Sequence, residues 1–238
     1  MKVLSTFRPA FFPNLLYFWQ MAQSQVVVFT DHLQFSKGTI INRSAPLNTT
    51  QDILTIPVQH DQKQLPIALK RIVPREQWKE KHLKTLHHLF HNFPFAEDYL
   101  PQIEEIYRAE KQFLGDFLFA LTEKIIHWLH LPVQPVRSAQ LLKAGDGTQT
   151  VLKWCKRFHC EAYIAHPETF EKSWIDAKRL KEQQIRPLLF SGLPASHLLE
   201  HYATRSIIHF IFQFGPEAGY ILKQYSSNER RNWLPNAH

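Results

Sequence analysis

Between Asp31 and Arg43 the chain places a carboxylate, an imidazole, two side-chain amides and two cations within thirteen positions: Asp31, His32, Gln34, Lys37, Asn42 and Arg43. They follow Val26-Val27-Val28-Phe29, the strongest strand signal in the sequence. A core strand cannot bury such groups unpaired, and a solvated loop does not need them, so the stretch reads as the rim of a site. Asp31 suits a general base or a carboxylate that orients substrate; as a turn residue it would instead bond local amides. Gln34 and Asn42 suit recognition of hydroxyls or amides, as sugars require, or they satisfy backbone groups in a turn. Arg43 fits a bidentate clamp on phosphate or carboxylate, or a structural salt bridge to Asp31. Lys37 reads as solvent-exposed.

Trp78 and His82 lie one helical turn apart and could form a ring platform beside an acid/base group. The competing reading is a buried, hydrogen-bonded histidine packed on a tryptophan. His87 and His91 have a spacing that metal ligands use, but neither a third ligand nor a partner Glu accompanies them, so no metal site is expected. Arg8, at the end of the first strand, adds a cation. Cys155, on an apolar helix, reads as core. The sequence has no Walker loop, GxGxxG, GxSxG or HExxH motif, and Gly145-Asp146-Gly147-Thr148 is too short for a phosphate loop. The candidate set is therefore Asp31 and His82 for catalysis and Arg8, Gln34, Asn42, Arg43 and Trp78 for substrate binding.

The elements that must position these residues read as an α/β chain. Val3–Phe7 is a first strand. Pro9 and Pro13 fix a turn, Pro13 suits the first position of a helix that runs to about Ala22, and residues 26–30 form a second strand. Ile40-Ile41 and residues 65–72 read as short strands, and residues 52–58 alternate at period two. From residue 75 the apolar spacing becomes helical. Asn92-Phe93-Pro94 stops a first helix, and Leu100 to Leu129 form one apolar stripe, read as a single long helix that Gly115 bends. An extended segment follows between Pro132 and Arg137-Ser138. A helix capped by Thr148 runs to about Arg157, residues 161–164 form a strand, and Ile185–Leu188 belong to a second parallel section. Ser206–Phe214 and Glu217–Tyr225 are helical. The reading is a Rossmann-like, mostly parallel sheet with a helical section inserted in the middle: one domain over residues 1–225, then a polar, frayed tail over 226–238. Ligands of such sheets bind at the carboxyl ends of the strands, here Phe7-Arg8-Pro9 and Thr30-Asp31-His32. Parallel neighbours deliver Arg8 and Asp31 to one edge, where Gln34, Asn42 and Arg43 would close a positive cleft.

The 238 residues are 44% hydrophobic and include 18 Phe, which is enough for a substantial core and excludes global disorder. Net charge is +7 and pI about 9.4. The cations are dispersed among acids, as in Lys178-Arg179-Leu180-Lys181-Glu182, and form no stripe of the kind nucleic-acid binders carry. The excess charge suits a phosphate-bearing partner, such as a nucleotide sugar, a coenzyme or an anionic membrane surface, or plain solubility. Two cysteines exclude a disulfide framework. No apolar run approaches the ~20 residues of a membrane span, and the N-terminus lacks a signal-peptide pattern, so the expected location is the cytoplasm.

In order along the chain, Arg8-Pro9-Ala10-Phe11-Phe12-Pro13 with Leu15 and Tyr17-Phe18, then Asp31-His32-Leu33-Gln34-Phe35-Ser36-Lys37 with Asn42-Arg43, then Trp78, His82-Leu83 and Pro94-Phe95 resemble the WbqC-like protein family of bacteria. Weaker echoes are Arg137-Ser138, Tyr163-Ile164 and Ser206-Ile207-Ile208 leading to Phe214-Gly215. The resemblance implies an accessory role in O-antigen or other surface-polysaccharide synthesis. It suggests an aminoacyl (glycine) or acyl transferase acting on a sugar or nucleotide sugar, in contact with other biosynthetic enzymes; it implies no particular cofactor. The chain departs from the pattern in three places: Phe7 and Arg8 stand where the family has His and Gln, Ala165-His166 where a Ser-Gly pair is common, and His209 where an acid follows Ser. These departures also admit a catalytically silent binding or scaffold protein that keeps the pocket.

Overall fold

A computed structural model describes residues 1–50, 52–60, 64–74, 76–226 and 232–233. Five strands form a parallel sheet: β1 (Val3–Phe7), β2 (Val26–Phe29), β5 (Gln134–Arg137), β6 (Ala162–Ala165) and β7 (Arg186–Leu189), in the order β5-β2-β1-β6-β7. Between β2 and β5, β3 (Arg43–Ser44) and β4 (Leu54–Thr55) pair as a separate antiparallel ribbon. The last two described residues, β8 (Asn232–Trp233), add antiparallel to β7. Of the tail expected to fray over 226–238, Ser226 ends a helix, and residues 227–231 and 234–238 lie outside the described residues.

Burial on both faces explains why β2 is an unbroken apolar run. Val27 and Phe29 face the larger core, and Val26 and Val28 the smaller one. The larger core is built by α1 (Leu15–Met21), the inserted α2 (Glu76–Phe90), α3 (Ala96–Arg108) and α4 (Leu114–Trp128), and the C-terminal α8 (His197–Tyr202), α9 (Ile207–Phe214) and α10 (Glu217–Ser226). The smaller core is covered by α5 (Gly147–Phe158), with α6 (Pro167–Glu171) and α7 (Ala177–Glu182) beside it.

Several sequence expectations are corrected. Ile40-Ile41 is a turn, not a strand, and Ile40 is exposed; the ribbon begins at Arg43. Residues 65–72 form a 3-10 turn at Ile67–Leu69 flanked by single bridges, and the strand expected over 52–58 shortens to Leu54–Thr55. The long helix breaks between Arg108 and Leu114, where Ala109-Glu110-Lys111-Gln112 interrupts the apolar stripe. Gly115 therefore bends nothing. It is the point where α4 meets its neighbours: a Cβ there would sit 2.9 Å from both Ala68 Cα and Arg137 Nη2. Asn14, not Pro13, opens α1, its side chain accepting from the Tyr17 amide. Asp146, not Thr148, caps α5 by accepting from the Gln149 amide.

Candidate functional site

Register decides which side chains share the carboxyl edge of the sheet. Phe7 pairs with Phe29, and Phe29 with Arg137. The next residues, Arg8, Thr30 and Ser138, therefore leave three adjacent strands at one level, and the Thr30 amide donates to the Phe7 carbonyl at 2.8 Å. From β1 the chain winds outward through β2 to β5, then crosses back to β6 and winds outward the other way to β7. The order reverses between β1 and β6, and in open α/β sheets the ligand crevice lies outside the carboxyl ends at that reversal. Here Arg8 follows β1 and His166 follows β6, both exposed. No ion pair engages the Arg8 guanidinium among the described residues, and its carbonyl accepts from Tyr17 Oη. His166 Nδ1 accepts from the Glu168 amide and caps α6. Beneath them Thr6 Oγ1 and Tyr163 Oη lie 2.7 Å apart, and burial pushes the Tyr163 phenol up to about 12, so it stays protonated at neutral pH.

Asp31 reaches this edge but is 1% exposed. Its carboxylate accepts from Arg137 Nε at 2.7 Å, from Ser138 Oγ at 2.9 Å and from the Ala139 amide at 2.8 Å. Its own carbonyl accepts from the Ala68 amide. Arg137 also bonds Asp116 on α4 and lies over the Phe119 ring. Burial pulls the guanidinium down, but the bonds to Asp116 and Asp31 outweigh it and raise its pKa. Arg137, Asp116, Phe113, Phe119 and Glu123 line a depression of about 490 Å³ on the outer side of this network.

His32 completes the edge. Its backbone N–H donates to Ser138 Oγ at 3.2 Å, and its ring Nδ1 lies 2.6 Å from the same oxygen. The half-buried ring meets Trp154 edge to face. Desolvation and then Lys143 lower its pKa, against a smaller opposing pull from Asp31, so the imidazole is neutral at pH 7.

The remaining sequence candidates lie elsewhere. The ion-pair partner of Asp31 is Arg137, 106 residues away, and not Arg43. Arg43 is exposed on the ribbon and lines a shallow depression of about 380 Å³ with Gly38, Thr39, Ser44 and Asn48. Asn42 is buried as a staple: Oδ1 accepts from the Gly38 amide and Nδ2 donates to the Ile56 carbonyl. Gln34 is exposed beside Pro66. His82 is 4% exposed. Its Nε2 accepts from the Thr55 amide and its Nδ1 bonds Tyr107 Oη, both at 3.2 Å. Burial lowers its pKa to about 4. Trp78 packs on His82, Tyr107 and Phe117 and donates to the Val73 carbonyl. The structure thus brings Arg8 and Asp31 to one edge, while Asn42, Arg43, Trp78 and His82 belong to the ribbon and the helical layer.

Sequence reasoning placed no role on Arg137, Ser138, His32 or His166. The signals were present, since His32 adjoins Asp31 and Arg137-Ser138 echo a family motif, but no spacing rule joins residues a hundred positions apart. Among the described residues no group of three His, Cys, Asp or Glu could hold a metal ion, and no helix is long and apolar enough to cross a membrane. Cys155 and Cys160 are both free and buried. The family model of the WbqC-like protein family matches residues 8–218. No curated protein and no solved structure gave a match.

Proposed function

The chain belongs to the WbqC-like protein family, and from that membership and the geometry of the carboxyl edge we propose that it is a transferase acting on a sugar or nucleotide sugar. The group transferred would be acyl or aminoacyl, and the setting O-antigen or related surface-polysaccharide synthesis. One observation carries the reading: Arg8 stands exposed, with no ion pair among the described residues, at the reversal of strand order, where a parallel α/β sheet receives its ligand. A guanidinium so placed suits a phosphate or carboxylate. His166 and Thr30 add polar groups on either side, and Asp31 fixes the floor rather than touching substrate. A thermal-shift screen of the full chain with nucleotide sugars, acyl-coenzymes and aminoacyl donors would find the ligand, because binding to the folded state raises apparent stability. Arg8→Ala should weaken that ligand by about tenfold or more, the value of a lost charged hydrogen bond. Undiminished binding by the variant would place the site elsewhere.

The second reading is a binding or scaffold protein without catalysis. The observation that favours it is that Asp31 and His82, the two residues first assigned to acid/base work, are buried with their polar atoms engaged inside the protein. Turnover in the presence of the identified ligand and a sugar acceptor separates the two readings.

A further inference from the structure

The hydrogen bonds around Ser138 fix the state of His32. Ser138 is fully buried, and its hydroxyl has one proton and two lone pairs. The Asp31 carboxylate can only accept, so the Ser138 proton goes to Asp31 Oδ1. One lone pair receives the His32 backbone N–H. The other faces ring Nδ1 at 2.6 Å, so Nδ1 carries the hydrogen and donates it. In a neutral imidazole the lone pair then resides on Nε2. That atom has no hydrogen-bond partner among the described residues, and it is not buried: the only buried side-chain nitrogen or oxygen there without a partner is His209 Nδ1. Arg137 and the Ala139 amide hold Asp31 in place, and Asp116 holds Arg137. The imidazole is thus held from behind through Nδ1, and Nε2 is left without a protein partner among the described residues.

We infer that His32 is the proton acceptor of this site, a catalytic residue whose Nε2 is presented to substrate by Ser138 and Asp31 acting as positioning residues. The inference rests on the reading above only for the group transferred. An acceptor hydroxyl or amine gives its proton to Nε2 as its O–H or N–H bond breaks. The pair left on that atom forms the bond to the carbonyl carbon of an acyl donor. The leaving group departs with its own electron pair and takes the proton back from Nε2, which restores the neutral ring. Ser138 is no nucleophile, because it is sealed from solvent and all three of its hydrogen-bonding positions are committed. His166 lies across the reversal of strand order and binds its own helix through Nδ1, so it lacks the support from behind that His32 has.

Long-range proton–nitrogen correlation spectra of the ¹⁵N-labelled full chain at neutral pH test this without a substrate, with the His32 signals assigned by loss in His32→Gln. The expected result is the Nδ1–H tautomer in the native protein and a shift toward Nε2–H in Ser138→Ala. Carbethoxylation by diethyl pyrocarbonate, mapped by peptide mass, should label His32 readily. A native spectrum showing Nε2–H, or a His32 that resists the reagent, overturns the inference. If Ser138→Ala does not fold, the native and His32→Gln spectra decide alone. Loss of the Arg8 reading leaves the tautomer unchanged, and a wrong tautomer leaves ligand binding at Arg8 intact, so the two fail separately.

Discussion

Removing the Asp31 carboxylate would strand a buried serine proton and the Ala139 amide, and would leave Arg137, 14% exposed at its side chain, with Asp116 alone. Breaking a buried pair this way costs more than the pair itself contributes, because an uncompensated group stays behind. Asp31→Ala is expected to lower stability by about 3 kcal/mol, read as a shift of the urea midpoint at constant slope. Arg43→Ala, in an exposed side chain with no ion pair among the described residues, is expected to change it by less than about 0.5 kcal/mol. Equal losses in the two variants would restore the salt bridge between residues 31 and 43 that the sequence left open. At this scale the sequence set Arg8 and Asp31 beyond the ends of neighbouring parallel strands, as the register has them, but did not show the partners of Asp31. Asp31 and its dense surroundings were visible as chemistry. That its counter-ion sits at residue 137 depends on β5 lying beside β2, which residue spacing does not encode. Likewise His82 looks catalytic beside Trp78, yet its two nitrogens serve the Thr55 amide and Tyr107.

At the scale of elements, Gly115 sets two effects against each other. Gly115 is the second residue of α4, where Ala is favoured over Gly by less than the ~1 kcal/mol of a helix interior. At this glycine, however, a methyl group would meet Ala68 Cα and Arg137 Nη2 at 2.9 Å each. The first neighbour is backbone and cannot yield without moving the 3-10 turn that supports Asp31. Gly115→Ala is therefore expected to lose about 1–3 kcal/mol net of propensity, as overpacking does, and to disturb the His32 resonance through Arg137 and Asp31. A variant as stable as the native chain, with His32 unmoved, would show that the two elements slide freely. Asp146→Ala at the start of α5 should cost about 1 kcal/mol by the loss of an N-cap. The strands and helices that the sequence showed best were those buried on one or both faces: β1, β2, β6, α2 and α9 all fall where periodicity put them. Periodicity failed where the apolar stripe crossed a boundary. Leu100 to Leu129 keep one stripe, but the helix stops at Arg108 and resumes at Leu114, across Ala109 and the polar Glu110, Lys111 and Gln112. Over residues 52–58 the alternation is real, since Asp52, Leu54, Ile56 and Val58 are all buried, but only Leu54 and Thr55 pair as a strand, because burial on one side does not by itself supply a partner strand.

For the molecule as a whole, the histidines of the larger core set an acid limit. Burial holds His82 at about 4, and burial reinforced by Arg205 and His201 holds His209 at about 4. Both values lie below the ordinary 6.5, so as the pH falls the unfolded chain takes up protons first. The stability owed to the neutral rings is complete above about pH 6.5 and drains away as the pH falls toward 4, by up to about 3 kcal/mol for each ring at ~1.36 kcal/mol per unit. The two sites differ in what neutrality costs. His82 has partners for both nitrogens, whereas His209 Nδ1 is buried with none among the described residues, amid the rings of Phe90, Phe93 and Tyr202. A buried polar atom left unsatisfied carries a penalty of about 1–3 kcal/mol at every pH. His209→Leu, which keeps the apolar contact with those rings and removes the orphaned nitrogen, is therefore expected to raise stability at pH 7 and to flatten its decline between pH 6.5 and 4. His82→Leu would flatten the same decline but lower stability at pH 7, because the Thr55 amide and the Tyr107 hydroxyl would lose their partner. Urea titrations of the three proteins at pH 7 and pH 4.5 read both effects at once. A His209→Leu chain that is less stable at pH 7 would mean that the nitrogen has a partner in solution, and the account of this core would fall with it.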